Sequence, residues 1–254
     1  MTDRVAIQGV GLWTQDYANL GAWRERREER SPPRARVVPA LLRRRLSPLS
    51  AAMIDALTEA LGDRTNTSGG AGAKPIDTIF GSAYGETGVL VELLDQLYKG
   101  GGPSPTGFAS SVHNAASGYY SIATANRGFT TSIAAGHDTL AACLFEAFGR
   151  LGTGSSEALV VVGDLEAPSA LVSAERRGPA LAVALHLSVA ADAQLGFLTL
   201  PRQAAMDPAE IPHSYTQNPC GAALALVDTI ALGLTRPVRL DTLGSGFATR
   251  FEAP

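Results

Sequence analysis

Residues 130–147 read TTSIAAGHDTLAACLFEA, a β-branched run that ends in small residues and passes at once into an apolar helical pattern. This is a strand-to-helix turn of the sort that exposes a nucleophile in many α/β enzymes. No nucleophile stands there, because the junction is Ala135, Gly136 and His137. Beyond His137 and Asp138 the run TLAACLFEAF carries Glu146 as its only charged residue, so apolar side chains cover nearly the whole circumference. A helix apolar all round must be covered all round. An ordinary three-layer domain would leave one face in water, so the cover comes from the chain's own C-terminal segment or from another subunit.

Working outward, strand and helix signals alternate. RVAIQGVGLW (4–13) reads as a strand ending at glycines, and SPLSAAMIDALTEALG (47–62) as an amphipathic helix with Ser-Pro at its start and Gly62 at its close. DRTNTSGGAGAKP (63–75) has the composition of a loop. IDTIFGSAY (76–84) predicts a strand and GVLVELLDQLYKG (88–100) a helix; the connection GGPSPTG then leads into 110–128, where Val112, Ala115, Ala116, Tyr119, Ile122 and Ala123 have helical spacing. Strand FTTSIAA (129–135), the helix from His137 and the buried strand in EALVVVGDLE (157–166) follow. In PALAVALHLS (179–188) the alternation of Leu181, Val183, Leu185 and Leu187 predicts one face turned inward. GAALALVDTIALGL (221–234) suits helix or strand, and 236–252 looks extended. The alternation predicts an α/β fold with a mixed, mostly parallel sheet and helices on both faces. One domain is expected over 1–254, with a C-terminal extension from about 200.

Composition narrows the function. A chain of 254 residues buries roughly 70–75% of its unfolded surface, enough for a real core. A net charge of -3 with 18% charged residues gives no basic field, so nucleic acid is not an expected partner. The local exception is RERREERSPPRARVVPALLRRR (24–45), readable as a solvated surface segment or as a dock for an acidic partner. Cys143 and Cys220 are too few for a disulfide framework, which points to a reducing, cytoplasmic setting. The N-terminus lacks the basic-then-apolar pattern of a leader, and no run reaches the ~20 apolar residues of a membrane span.

Most motifs fail. GVG (9–11) lacks the third glycine of a dinucleotide site, a phosphate loop is absent, and GSAYG (81–85) has its serine in the wrong place for a nucleophile elbow. His113, His137, His186 and His213 show no i, i+4 pairing, so neither metal nor cofactor is expected. His137 and Asp138 suggest a dyad, yet helical neighbours point about 100° apart, and an acid in the first turn suits the helix dipole. His113 and Asn114, near a helix start, read as local hydrogen-bonding residues or as contributors to a partner's cavity.

The stretch SSVHNAASGYYSIATANRGFTTSIAAGHDTLAACLFEA (110–147) resembles the central part of β-ketoacyl synthases of the thiolase fold. In that family an Asn-containing helix precedes a glycine, a short strand ends in the nucleophilic cysteine, and a buried helix starts there. PALLRRRLSPLS with SVHNAASGYYSIAT is similar, more closely, to short synthase-like proteins of aryl polyene pigment clusters, which act as chain-length-factor partners of a separate ketosynthase. The likeness spans about 4–188 and implies half of a thiolase-like fold. It also puts Gly136, or Ala135 if the register slips by one, at the nucleophile position, and neither forms a thioester. The family's catalytic histidines come from a C-terminal half that this chain is expected to lack.

The resemblance therefore implies a non-catalytic subunit that pairs with a ketosynthase in type II polyketide (aryl polyene) or fatty-acid-like synthesis. Its substrate is carried on acyl carrier protein. Pairing would run through the strand before the nucleophile, with Phe108, Ser111, His113, Asn114, Thr130, Thr131, Ser132, Ile133 and Ala134 at the interface and acyl pocket. Two other readings stay open: a non-covalent decarboxylase or acyltransferase using His137 and Asp138, and a self-associating carrier-protein docking module.

Overall fold

The computed structural model describes residues 2–62 and 74–254. Residues 63–73 of the expected 63–75 loop lie outside the described residues. In chain order the elements are β1 (Arg4–Thr14), α1 (Leu20–Arg24), α2 (Ala40–Arg43), α3 (Pro48–Leu61), β2 (Asp77–Gly81), α4 (Thr87–Tyr98), α5 (Pro105–Ser110), α6 (Ala115–Thr124), β3 (Thr130–Ile133) and α7 (Thr139–Gly152). After them come β4 (Glu157–Asp164), β5 (Leu181–Ser188), β6 (Gly196–Thr199), β7 (Arg202–Gln203), α8 (Ala223–Leu232), β8 (Arg236–Arg239) and β9 (Phe247–Glu252).

The strands form one mixed sheet in the order β3-β2-β4-β5-β1-β6-β9-β7, with β8 paired to β9. Helices lie on both faces, as expected, but the sheet is not mostly parallel. Only β2–β3 and β2–β4 run parallel, while β4–β5, β5–β1, β1–β6 and every pairing of β9 are antiparallel. The reason lies in the connections. No α-helix separates β4 from β5, so β5 returns directly beside β4 without the crossover that parallel pairing requires, and β1 then lies antiparallel between β5 and β6.

Two apolar layers flank the sheet, and alternate residues of one strand supply both. Val160 and Val162 of β4 face the layer holding α7 and α8, whereas Leu159 and Val161 face the layer holding α3 and Tyr120 of α6. In β5, Leu181, Val183, Leu185 and Leu187 go one way, and Ala182 and Ala184 the other. All eight β5 residues are buried, which corrects the expectation of a single inward face: alanines fill the side that reads as polar-permissive in sequence.

Local chemistry fixes the helix ends. Ser47 accepts a hydrogen bond from Ser50 N at the head of α3, Pro48 occupies the first turn, and Gly62 closes the helix at φ +56°. The 110–128 helix is interrupted. Its register breaks over 111–114, and α5 begins at Pro105 inside the stretch expected to be a connection, with Ser104 as its cap. The expected strand over 129–135 pairs only across 130–133, and α7 proper starts at Thr139 after a tight turn.

The C-terminal stretch joins the same sheet and covers α7. Leu140, Leu144 and Phe148 of α7 share a core with Leu224, Val227 and Ile230 of α8 and with Phe251 of β9. Phe145 packs edge-on against Phe247 of β9, with ring centroids 5.2 Å apart. Trp23 of α1 ties α8 down from the other side through Nε1 to Asp228, at 2.7 Å. The 221–234 segment is thus helical, and the extended reading of 236–252 resolves into the β8–β9 hairpin.

The glycines of GVG serve packing. A Cβ on Gly9 would lie 2.0 Å from the Ala60 carbonyl oxygen, and one on Gly11 would lie 1.9 Å from that of Ala56. Only glycine lets the α3 backbone approach β1 this closely. Gly11→Ala is therefore expected to lower unfolding free energy by about 3 kcal/mol, measured by urea denaturation, because the opposing atoms are backbone and cannot swing aside. A change smaller than about 0.5 kcal/mol would contradict this packing.

Candidate functional site

The strand-to-helix corner is formed by Ala134, Ala135 and Gly136, all solvent-exposed, between the end of β3 and the start of α7. Ala135 has a negative φ of -142°, and Gly136 sits in the left-handed region at φ +56°. A Cβ built on Gly136 meets nothing within 4 Å, so the position opens onto free space. Buried Thr139 holds the corner in shape: its Oγ1 donates to Gly136 O at 2.7 Å and accepts from Ala135 N at 3.1 Å.

Sulfur is close by but inaccessible. Cys143 is fully buried, one face of it against Gly81, and burial pushes its thiol well up, with Glu146 adding to the effect. Cys220 is likewise buried, and its thiol is raised by burial and by Asp164. A nucleophilic cysteine needs exposure and a depressed pKa, and neither thiol has them.

His137 and Asp138 do not form a dyad. Asp138 accepts from Ser245 N at 2.8 Å and from Ser245 Oγ at 2.6 Å, anchoring the loop between β8 and β9 rather than capping α7. His137 Nδ1 lies 3.2 Å from Thr242 Oγ1, whose proton goes to Thr216 O. Nδ1 is thus the donor, and the neutral ring presents Nε2 as an acceptor. Burial lowers the pKa of His137, with Arg176 reinforcing it and Asp241, Asp138 and Asp164 opposing.

The structure gathers five of the interface residues read from sequence. His113, Asn114, Thr130, Thr131 and Ser132 line a shallow depression of about 280 Å³ beside β3, together with Ser117. Ser117 Oγ is 3.3 Å from Ser132 Oγ, and Thr78 Oγ1 donates to Thr130 Oγ1 at 2.9 Å. His113 reaches inward to Ser82 O at 2.9 Å. Ile133 packs against the α7 core, Ala134 is exposed, Ser111 bonds Phe108 O, and Phe108 projects from α5 with 65% of its surface exposed. Among the described residues β3 is an edge strand, hydrogen-bonded to β2 on one side.

Beneath the corner lies a polar hub that sequence reasoning did not single out. Asp164, fully buried at the end of β4, accepts from Ser82 Oγ (2.5 Å), Tyr84 N (2.9 Å), Ala83 N (3.1 Å) and Cys220 Sγ (3.3 Å). Burial raises its pKa, and these donors work against the rise. A lone acid ending the buried run LVVVGD was the available signal. The partners, distant in sequence, gave none. Among the described residues no cluster of three or more His, Cys, Asp or Glu could hold a metal, and no helix is long and apolar enough to cross a membrane.

Asp164→Asn would turn an amide NH₂ toward donors. It is expected to cost about 1–3 kcal/mol of stability, read as a lowered denaturation midpoint; an unchanged midpoint would show that the four donors are not competing for the carboxylate.

The fold has relatives among solved structures. The chain superposes on a chain of the complex of the ketosynthase ApeO with its chain length factor ApeC from Xenorhabdus doucetiae, at a TM-score of 0.72 and 19% identity over 98% of both chains. It also superposes on a chain of the ishigamide ketosynthase/chain length factor, at 0.62 and 15% identity over 89% of this chain and 73% of that one. A third match is to AntDE:AntF, a type II PKS acyl-carrier protein in complex with its ketosynthase, at 0.58 and 16% identity over 74% of this chain and 63% of that one. At such identities the likeness establishes a thiolase-like fold. No curated protein sequence matches. The family described as "Beta-ketoacyl synthase, N-terminal domain" matches residues 14–233, and the chain belongs to that family.

Proposed function

We propose that the chain, read as a single synthase-like unit, is a non-catalytic chain length factor that pairs with a separate ketosynthase and shapes that partner's acyl pocket. The observation that carries this reading is the corner itself, which is built, unobstructed and stapled by Thr139, yet bears only hydrogen or methyl where a thioester would form. With Asp138 holding Ser245 and His137 holding Thr242, the polar groups beside the corner are committed to the β8–β9 loop, which weighs against acyl transfer by that pair.

The surface around β3 supports pairing. Among the described residues the strand's outer edge is unpaired; α6, which packs beside it, exposes Ile122 (71%), and α4 and α5, in contact with each other, expose Leu90 (45%), Leu97 (56%) and Phe108 (65%). Apolar side chains exposed together mark an interaction surface more often than a solvated one. The solved complexes of similar fold pair a ketosynthase with a chain length factor, which favours a ketosynthase as the partner that joins here. In such a pair the depression around His113, Asn114 and Ser132 would form part of the wall of the neighbouring cavity, and side-chain bulk there would limit product length.

Carrier-protein contact has its own support in the arginine-rich segment. Arg26 pairs with Asp228, Arg30 with Asp16, and Arg27 with Glu25 and Glu29, while Arg43 donates to the Val38 carbonyl. Among the described residues Arg24, Arg34, Arg36, Arg44 and Arg45 make no ion pair; all are exposed, in a segment that also exposes Leu41 at 82%. Unpaired guanidinium groups beside an exposed leucine suit an acidic carrier protein.

Two outcomes are expected. Phe108→Asp with Ile122→Asp, both at exposed positions, should abolish copurification with the co-expressed ketosynthase while shifting the thermal midpoint by no more than about 2–4 °C. Copurification that survives the double change would count against pairing at this surface. Arg44→Glu with Arg45→Glu should leave the pair intact but cut polyene formation at low ionic strength about tenfold, with the difference shrinking as salt is added. Equal turnover at all salt concentrations would remove the arginines from carrier docking.

A further inference from the structure

A second concavity opens beside the corner and shares no lining residue with the depression along β3. Its volume is about 480 Å³, within the range of small-molecule sites. Leu171 and Leu243, 60% and 64% exposed, supply apolar surface, and Tyr84, His137, Gln217 and Arg176 supply polar groups.

Apart from His137 Nδ1, which meets Thr242, these polar groups make no side-chain hydrogen bond among the described residues. Among the described residues Arg176 makes no ion pair, and the acids around it have other partners: Glu175, its chain neighbour, accepts hydrogen bonds from the Ser173 side chain and its own backbone N–H. Glu166 pairs with Arg177 at 2.8 Å, Asp241 with Arg239 at 2.9 Å, Asp138 holds Ser245, and Asp164 is saturated by four donors. Three polar side chains without a hydrogen bond, one of them a cation with no ion pair, and the second nitrogen of His137 therefore line a space walled in part by leucine.

We propose that this cleft binds an anionic amphiphile, with a carboxylate or phosphate head on the Arg176 fork and an apolar tail along Leu171 and Leu243. Guanidinium matches both heads because its planar N–H groups meet two oxygens at once. Tyr84 and Gln217 add neutral donors. The tail gains by covering two leucines that water now wets. The site is independent of ketosynthase pairing, since no interface residue of β3 or α5 contributes to it.

Calorimetric titration of the purified chain with dodecanoate, dodecyl phosphate and dodecanol, each below its aggregation threshold, tests the assignment. The expected result is one saturable site that binds at least one of the anions about tenfold more tightly than the alcohol. Arg176→Gln should erase that preference and Arg176→Lys should keep part of it, while Leu243→Asp should weaken every tail; the thermal midpoints should stay put because both positions are exposed. The stronger of the two anions identifies the head group, and equal strength identifies the shared chemistry. Absence of saturable binding, equal affinity for alcohol and anions, or indifference to Arg176→Gln would each overturn the proposal.

Discussion

The covering of α7 is the constraint on which the rest of the molecule depends. A helix with leucine, phenylalanine, alanine and cysteine around most of its girth loses the hydrophobic contribution of any face left wet, at about 25 cal/mol per Å². The sheet takes one side of it through β2 and β4. The other side is met by α8 and β9, which reach it because β5 runs antiparallel beside β4 and β6 antiparallel beside β1, leading the chain across the sheet to β9. Topology and core are thus one solution: the antiparallel returns that distinguish this sheet from a doubly wound one bring the C-terminal elements over α7.

A polar framework complements that apolar arrangement. Asp164 joins the end of β4 to the loop after β2 and to Cys220 ahead of α8, so the elements that cover α7 also share one buried carboxylate. Asp138 and His137 extend the tie to the β8–β9 loop. Groups that catch the eye in sequence as chemistry therefore serve here as fasteners. The pKa directions follow the same division: burial raises Asp164, whereas Asp241, which burial would also raise, is held low by Arg239 and the Gly244 and Gly246 amides.

Much of this was legible in the chain. Helical spacing located α3, alternation located β5, the strand-like run ending at glycines located β1, continuous apolar runs located β4 and α7, and the run 110–147 carried the family. Strand direction was misread because alternation of strand and helix was extended over the whole chain, although 165–180 carries no helical apolar spacing and holds no α-helix. α8 was ambiguous, since a segment apolar at nearly every position has no dominant period. α5 hid behind prolines that cap a short helix instead of preventing one. Of the site, the residues close in sequence were found together, whereas Ser117 joined them only through the packing of α6 on β3. Asp164, Ser82 and Cys220 meet only once the sheet and α8 are in place.

The left-handed backbone at Gly136 also decides which side chains the corner admits. A cysteine introduced at that position would hold its sulfur in open space, but any side chain there carries the roughly 1–2 kcal/mol that L-residues incur in that conformation. Ala135, one step earlier, has a φ that side chains tolerate. A thiol introduced at this corner is thus accommodated more cheaply at 135 than at 136, so the bend itself sets which of the two positions can carry a side chain without strain.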